Sequence, residues 1–186
     1  FATGSHAVRF FSPSATMMEL SFRHEKAGAA DGFICQRMDF DNFLMEKAQA
    51  NPIIHIQQGI NVKGLHRKNG NIIIQDESGQ TIAETGLLLM ATGMDNRLIQ
   101  QLMPADDRPC KEGIGVRGYF KNVSGSDNNF AIEIHFLEEL LPWYFWIFPF
   151  SDGSANVGLA MPEEKARESQ QSLKELLFHV INKYPH

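Results

Sequence analysis

Residues 141–161 read LPWYFWIFPFSDGSANVGLAM and contain the densest run of aromatic side chains, five among the six residues from 143 to 148. Because successive side chains of a β-strand point to opposite faces, Tyr144, Trp146 and Phe148 are predicted to share one face. Phe145 and Ile147 would then point the other way, into packing. Such a strand is typical either of a doubly buried core or of a boundary between the core and an apolar ligand cavity. The second explanation predicts a mostly apolar pocket beside Tyr144, Trp146 and Phe148.

Further β-strands are predicted on the N-terminal side and within this stretch, from short apolar segments that end in turn residues. Asn69-Gly70 is a strong hairpin signal, and Ser78-Gly79 is predicted to form a second turn. Together these signals indicate a β-meander in the middle of the chain. The predicted strands are residues 7–11, 16–22, 32–35, 53–56, 60–65, 72–75, 87–91, 115–120, 130–137, 143–150 and 154–161.

Two helices are predicted from apolar residues at helical spacing. The first has Asp39 or Asp41 as its N-cap and ends before Pro52. The second begins with Pro162, which suits the first helical position, and continues as a single helix to Pro185. The apolar positions are Phe40, Phe43, Leu44 and Ala48 in the first helix, and Leu173, Leu176, Leu177, Val180, Ile181 and Tyr184 in the second.

The aromatic stretch also contains a spaced motif. Tyr144-x-Trp146-x-Phe148-Pro149 is followed, after eight residues, by Gly158. This arrangement resembles the signature of the geranylgeranyl reductase family of FAD-dependent oxidoreductases, which has the form Y-x-W-x-F-P followed by G-x-G. The resemblance implies that these five residues line an isoprenoid pocket near the flavin.

The resemblance extends over roughly residues 5–185, and two positions depart from the family pattern. Trp143 stands where the family has a glycine, and Ala160 replaces the second glycine of G-x-G. The resemblance implies that the intact protein reduces carbon–carbon double bonds in an isoprenoid or related lipid. Reduced FAD would supply the hydride.

Two further segments match the family in the same order. RxxFDxxL, from Arg37, resembles a helix start at which the arginine approaches the flavin, although a surface salt bridge is the common alternative for such an arginine. ATGMDN, residues 91–96, resembles the A-D-G-A-x-S that ends the family's meander. The segment around Val62 corresponds to a strand beside the adenine. The resemblance thus implies a cofactor set of Arg37, Val62, Gly93 and Asp95.

A glycine-rich flavin loop is missing from the sequence. No G-x-G-x-x-G occurs, although such a loop holds dinucleotide phosphates at a helix N-terminus. We therefore expect the 186 residues to be an internal stretch of a protein about twice as long. We also expect that they do not hold FAD tightly on their own. No side chain is assigned as the proton donor, and the residues point to no particular electron donor.

Composition argues against several other classes of protein. The net charge is −5 and the 17 basic residues are scattered, which disfavours nucleic-acid binding. The histidines show no metal-ligand spacing, so no metal site is expected. Two distant cysteines, Cys35 and Cys110, predict a reducing, cytoplasmic compartment, and a peripheral contact with a membrane is compatible with this location.

Glu133 and His135 alternate with apolar residues and are predicted to lie on a solvated face.

The expected fold class is α/β with α+β character: a mostly antiparallel substrate-domain sheet with helices, plus a partial FAD-domain β-meander. Residues 1–36 and 105–186 would form the substrate-binding domain, and residues 37–104 the partial FAD-binding domain. Two alternatives to the lipid reductase stay open. One is a flavin monooxygenase or halogenase on the same scaffold, and the other is a lipid-binding module without redox activity.

Overall fold

A computed structural model describes residues 2–22, 32–93, 95, 97–103, 113–169 and 171–183. Met94, Asn96, Cys110, Tyr184 and Pro185, which are named above, lie outside the described residues. The strands are β1 (Ala2–Ser5), β2 (Ala7–Phe11), β3 (Met17–Ser21), β4 (Gly32–Cys35), β5 (Val62–Lys68), β6 (Asn71–Asp76), β7 (Thr81–Thr85), β8 (Gly113–Phe120), β9 (Ile132–His135), β10 (Phe145–Pro149) and β11 (Ala155–Pro162). The helices are α1 (Arg37–Gln49), α2 (Ile99–Leu102), α3 (Glu163–Glu168) and α4 (Leu173–Lys183).

The strands and four helices of the described residues confirm the mixed α/β class, and the chain divides into two compact units. The first unit comprises Phe1–Glu46 and Lys111–His186, and the second comprises Lys47–Cys110. The boundary falls inside α1, and the assignment of substrate and cofactor roles to the two units stays a prediction.

A six-stranded sheet is the main element of the first unit. Its strand order is β3-β2-β9-β10-β11-β8, antiparallel throughout except for the parallel pair β2 and β9. One face of this sheet packs against α4 and buries Phe145, Leu159 and Val180, because apolar side chains alternate along β10 and β11. A separate pair, β1 with β4, completes the strands of this unit, and β1 was not predicted from the sequence.

The second unit is a three-stranded antiparallel meander, β5-β6-β7. The predicted hairpin is confirmed, since Asn69 and Gly70 both adopt the positive φ angles that a tight two-residue turn needs. The predicted strands at residues 53–56 and 87–91 are wrong. Asn51 and Thr85 bond to nearby backbone groups at these places, and such local bonds compete with strand pairing.

The first predicted helix exists, but its predicted cap is wrong. Helix α1 begins at Arg37, so Asp39 and Asp41 lie inside it, where Asp41 forms an ion pair with Arg37 one turn earlier. The predicted apolar face of α1 is not buried, since Phe40 is 40% exposed and Leu44 is 49% exposed. Helix α1 therefore contributes no residue to the buried core.

The single C-terminal helix predicted from Pro162 is instead two helices. Pro162 ends β11, α3 stops at Glu168, and α4 begins at Leu173. A capping box starts α4: the Ser172 hydroxyl accepts the Glu175 amide at 3.2 Å, and the Glu175 carboxylate accepts the Ser172 amide at 2.8 Å. The predicted apolar face of α4 is confirmed, because Leu177 and Val180 are buried in the core.

Candidate functional site

The second face of the six-stranded sheet carries a row of aromatic rings. Tyr144, Trp146 and Phe148 point to this face, as the sequence predicted, with successive ring centroids 6.1 and 6.2 Å apart. Phe145 points to the opposite face and is 5% exposed, within the core. The three aromatic residues are half-buried, so their face stays partly open to solvent. We call this surface the aromatic face.

Neighbouring strands extend the aromatic face toward β3. Phe136 lies 6.0 Å from Tyr144 and 6.4 Å from Phe10, measured between ring centroids. Register places further apolar side chains on the same side of the sheet. Met18 and Ile134 pair with Phe10, and Leu20 and Ile132 pair with Val8, which shares the face of Phe10 on β2.

Gly158 makes room for the central ring. Register pairs Gly158 with Trp146, and a Cβ added at Gly158 would lie 2.4 Å from the indole and 2.6 Å from the Val116 carbonyl oxygen. The indole is also held at its polar edge, where Nε1 donates to Asn156 Oδ1 at 2.9 Å. Only glycine therefore allows the Trp146 ring to lie against β11 in this position.

Trp143, the residue that departs from the family pattern, covers one end of β8. A Cβ added at Gly113 would lie 2.6 Å from its indole ring. Gly113 alternates with Ile114, which packs on the core, so the Trp143 ring lies on the aromatic side of the sheet. Ala160 donates its amide to the Tyr144 carbonyl oxygen at 3.0 Å, a backbone contact that does not require glycine.

Arg117 and Tyr119, on β8, form the polar edge of the aromatic face. Arg117 pairs in register with Gly158, and its Nη1 donates to the Tyr119 hydroxyl at 2.9 Å. The Arg37 amide donates to the same hydroxyl at 3.3 Å. Burial by itself would raise the pKa of Tyr119, but the Arg37 amide, the guanidinium and charge of Arg117, and Asn156 together lower that pKa below its usual value.

A separate cavity of about 220 Å³ opens on the core side of the sheet. Pro149, which the motif placed among the substrate-binding residues, lines this cavity with Ile147 and Phe11, on the opposite side from Tyr144. Its charged lining includes Arg9, which forms an ion pair with Asp127.

The prediction that Glu133 and His135 lie on a solvated face is wrong. His135 is 5% exposed, and its ring stacks on Phe11 with centroids 4.3 Å apart. His135 Nε2 and Glu133 Oε2 are 3.2 Å apart, and Arg9 lies 3.6 Å from the other Glu133 oxygen. The parallel neighbour β2 aligns Arg9 with Glu133 and Phe11 with His135, and this pairing covers both residues.

In the second unit, two of the predicted cofactor residues come together. Val62 and Asp95 line one cavity of about 200 Å³, which Lys63 and Arg97 also line. Arg97 Nη2 lies 2.6 Å from an Asp95 carboxylate oxygen, and this contact holds the pKa of Asp95 well below its usual range. Gly93 has a φ of +61°, and an added Cβ would meet no heavy atom within 4 Å, so the backbone there is open to approach.

Arg37 takes part in the surface ion pair that the sequence offered as an alternative. Its Nη2 lies 3.0 Å from Asp41 Oδ2, and its side chain is 68% exposed. Such exposed pairs contribute little to stability, so they leave a guanidinium free to exchange partners. A cofactor role for Arg37 stays a prediction.

Among the described residues, no group of three or more His, Cys, Asp or Glu side chains could hold a metal ion. No helix within these same residues is long and apolar enough to span a membrane.

Comparison with known sequences identifies relatives of the chain. No protein-family model matches it. It is 25% identical over 188 aligned positions to a digeranylgeranylglycerophospholipid reductase of Methanospirillum hungatei, covering 96% of this chain and 44% of that protein. A reductase of the same name from Methanocella arvoryzae is 27% identical over 190 aligned positions, covering 96% of this chain and 45% of that protein. The chain is similar to digeranylgeranylglycerophospholipid reductases over nearly all of its length. It spans a little under half the length of these curated relatives.

Solved structures share the fold. A geranylgeranyl bacteriochlorophyll reductase-like protein from Thermoplasma acidophilum matches with a TM-score of 0.77 and 20% identity, covering 98% of this chain and 46% of that one. A myxobacterial chondrochloren halogenase, described as a variant of FAD-dependent halogenases, matches with a TM-score of 0.68 and 18% identity, covering 97% and 42%. The chain therefore shares the fold of these proteins over the part that it covers, and the resemblance stated from the sequence is confirmed.

Sequence reasoning missed Arg117 and Tyr119. They belong to a plain alternating strand, GIGVRGYF, and match no part of the family motif quoted above. The available signal was the alternation itself, since an arginine and a tyrosine two residues apart must share one face. Which face this is depends on the pairing of β8 with β11, a long-range contact that the sequence pattern does not reveal.

Replacing Gly158 with alanine tests the geometry of the aromatic face. Because the added Cβ would overlap both the Trp146 ring and a backbone oxygen, we expect Gly158→Ala to destabilise the chain by about 1–3 kcal/mol and to shift indole emission. Urea unfolding followed by tryptophan fluorescence measures both effects.

Gly86→Ala is the matched control. A Cβ at Gly86 would meet only an ordinary contact at 3.9 Å, so the stability should change little. Equal stability of the two variants would contradict the close approach of Trp146 to β11.

Proposed function

We propose that this chain forms the substrate-binding part of a flavin-dependent oxidoreductase that reduces carbon–carbon double bonds of an isoprenoid lipid with reduced FAD. The observation that carries the proposal is the aromatic face, an open row of rings on a chain homologous to lipid reductases. Tyr144, Trp146, Phe148 and Gly158 would form the contact surface for the lipid. Pro149, on the other side of the sheet, would support their strand and not touch the lipid.

The aromatic face suits a long apolar chain for a physical reason. Its rings form a continuous row from Phe10 through Phe136 to Phe148, and rings at these separations offer an extended apolar surface. Covering apolar area releases water and stabilises a complex by about 25 cal/mol for each Å². The face would therefore hold an alkene in place and exclude water from it.

The cavity beside Val62 has groups that suit the nucleoside part of FAD. It contains the carboxylate of Asp95, which can accept a hydrogen bond from a ribose hydroxyl, and the cations of Lys63 and Arg97 also line it. In the same unit, Gly93 has open space beside its backbone and would let the diphosphate approach closely. For Arg37, in the first unit, the exposed guanidinium is compatible with the cofactor role that the resemblance implies. When bound, reduced FAD would supply the hydride.

An apolar edge could bring the protein to a lipid surface. Strand β3 is the outer strand of the six-stranded sheet, and its side chains are exposed. Met17, Met18 and Leu20 are each about half exposed, and Phe22 follows them. Peripheral membrane contact through β3 would place the aromatic face next to its substrate.

A flavin-dependent halogenase or monooxygenase is the second candidate, favoured by the likeness of the chain to halogenases of the same fold. A lipid-binding module without redox activity is the third, since an aromatic face binds lipid with or without a flavin. The colour of the purified complete protein separates the last candidate from the others, because a flavoprotein is yellow.

The first test measures whether the 186-residue chain binds FAD on its own. We expect no tight binding of FAD, because contacts worth about 1.5–3 kcal/mol each must offset an association cost of about 4–15 kcal/mol. The chain also carries a net charge of −5 against the anionic diphosphate. Titration followed by flavin fluorescence measures the affinity, with a full-length digeranylgeranylglycerophospholipid reductase as the positive control. Stoichiometric binding at micromolar FAD would contradict the expectation.

The second test concerns the lipid. We expect geranylgeraniol to bind the chain and Trp146→Ala to weaken binding by about tenfold or more, because the variant loses the central ring of the aromatic face. Emission from Trp143, which both proteins retain, reports the binding. Phe178→Ala is the matched control, since Phe178 is an exposed aromatic residue on α4, where it contacts Phe120. Equal affinity of Trp146→Ala and the wild type would contradict the assignment.

A further inference from the structure

The polar edge of the aromatic face contains a positive charge next to the apolar surface. Arg117 and Tyr119 alternate on β8, and register places Arg117 beside Gly158 and Tyr119 beside Asn156. Gly158 is the residue against which the Trp146 ring lies. The guanidinium therefore extends from β8, the neighbour of β11, and the central indole lies against β11.

Arg117 has no acidic partner among the residues that the structure describes. Arg9, Arg37, Arg97 and Arg167 each form an ion pair with a carboxylate within this part of the chain. Arg117 instead contacts Tyr119, with Nη1 2.9 Å from the hydroxyl oxygen and the guanidinium carbon 5.3 Å from the ring centroid. The arginine is exposed, so most of its donors stay available to an anion from solution.

Several donors converge on the same place. The Tyr119 oxygen accepts from both Arg117 and the Arg37 amide. Asn156 accepts from Trp146 Nε1 through its carbonyl oxygen, which leaves its amide nitrogen to donate toward Tyr119. Despite partial burial, which disfavours the phenolate, these groups lower the pKa of Tyr119, so the local field favours negative charge.

We propose that Arg117, supported by Tyr119, binds the anionic phosphate headgroup of a lipid whose apolar chain lies on the aromatic face. This inference rests on the proposed function, because it gives a headgroup site to the same lipid. A planar guanidinium with several donors suits a phosphate. The phosphate would be the anionic partner of Arg117, in place of the carboxylate that pairs with other arginines of the chain. An amphipathic substrate would thus be held at both ends, by charge at β8 and by aromatic contact at β10.

The test compares two lipids that differ only in charge. Geranylgeranyl phosphate and geranylgeraniol share one chain, and tryptophan emission of the 186-residue protein follows both titrations. We expect the phosphate to bind the wild type about tenfold more tightly than the alcohol, as one charge-assisted contact would produce. Arg117→Gln should remove this preference and leave the affinity for geranylgeraniol unchanged. Arg117→Lys, which keeps the charge, should retain part of the preference.

Arg67→Gln is the matched control. Arg67 is an exposed arginine on β5 that forms no ion pair within the described part of the chain, so its loss changes net charge by the same amount. This variant should keep the preference for the phosphate. Loss of the preference in Arg67→Gln would assign it to overall charge and overturn the proposal.

The remaining outcomes separate the headgroup site from the proposed function. A wild type that binds both lipids equally, or an Arg117→Gln variant that keeps the preference, overturns the headgroup site and leaves the aromatic face intact. Binding of neither lipid overturns both. Inorganic phosphate should not displace geranylgeranyl phosphate at equal concentration, because it lacks the apolar chain. Displacement would mean that the site binds free phosphate, and would overturn the assignment to a lipid headgroup.

Discussion

The contact between Trp146 and Gly158 is the constraint on which the candidate site depends. Without a Cβ at position 158, the indole lies against β11, where its Nε1 reaches Asn156 and its ring continues the row formed by Tyr144 and Phe148. A larger residue at position 158 would displace the ring and interrupt the row. The glycine therefore acts on function through packing, although it provides no side chain of its own.

The same sheet serves two purposes because its side chains alternate. On one face, Phe145 and Leu159 pack against α4 and stabilise the first unit. On the other, Tyr144, Trp146 and Phe148 stay half-buried, and their apolar area is available to a ligand. A rigid, well-packed strand thus positions the aromatic face, which limits the entropy that would be lost if a flexible surface had to become ordered on binding.

Local patterns predicted the parts of this fold that depend on local physics. The alternation of β10, the Asn69-Gly70 hairpin and the apolar face of α4 all followed from the sequence, because each depends on neighbouring residues. Tertiary pairing was harder to predict. Glu133 and His135 look solvated in the sequence, but β2 pairs beside them from more than 100 positions away.

The candidate site was only partly accessible to sequence reasoning for the same reason. Motif residues of β10 and β11 were identified directly from the sequence. Arg117 and Tyr119 could be placed beside them only from the pairing of β8 with β11. Short side-chain bonds were a further source of error. Asn51 and Thr85 each bind nearby backbone groups where apolar residues suggested strands, and Ser172 starts a new helix where the spacing suggested one continuous helix.

The most direct test of the central claim, that the aromatic face binds an apolar chain, is an NMR measurement of contacts between lipid and protein. Intermolecular NOEs would be recorded between the methyl protons of geranylgeraniol and aromatic rings with residue-specific labels. We expect NOEs to the rings of Trp146 and Phe148, which lie on the aromatic face. NOEs to Phe11 and Phe145 instead, on the core side of the sheet, would contradict it.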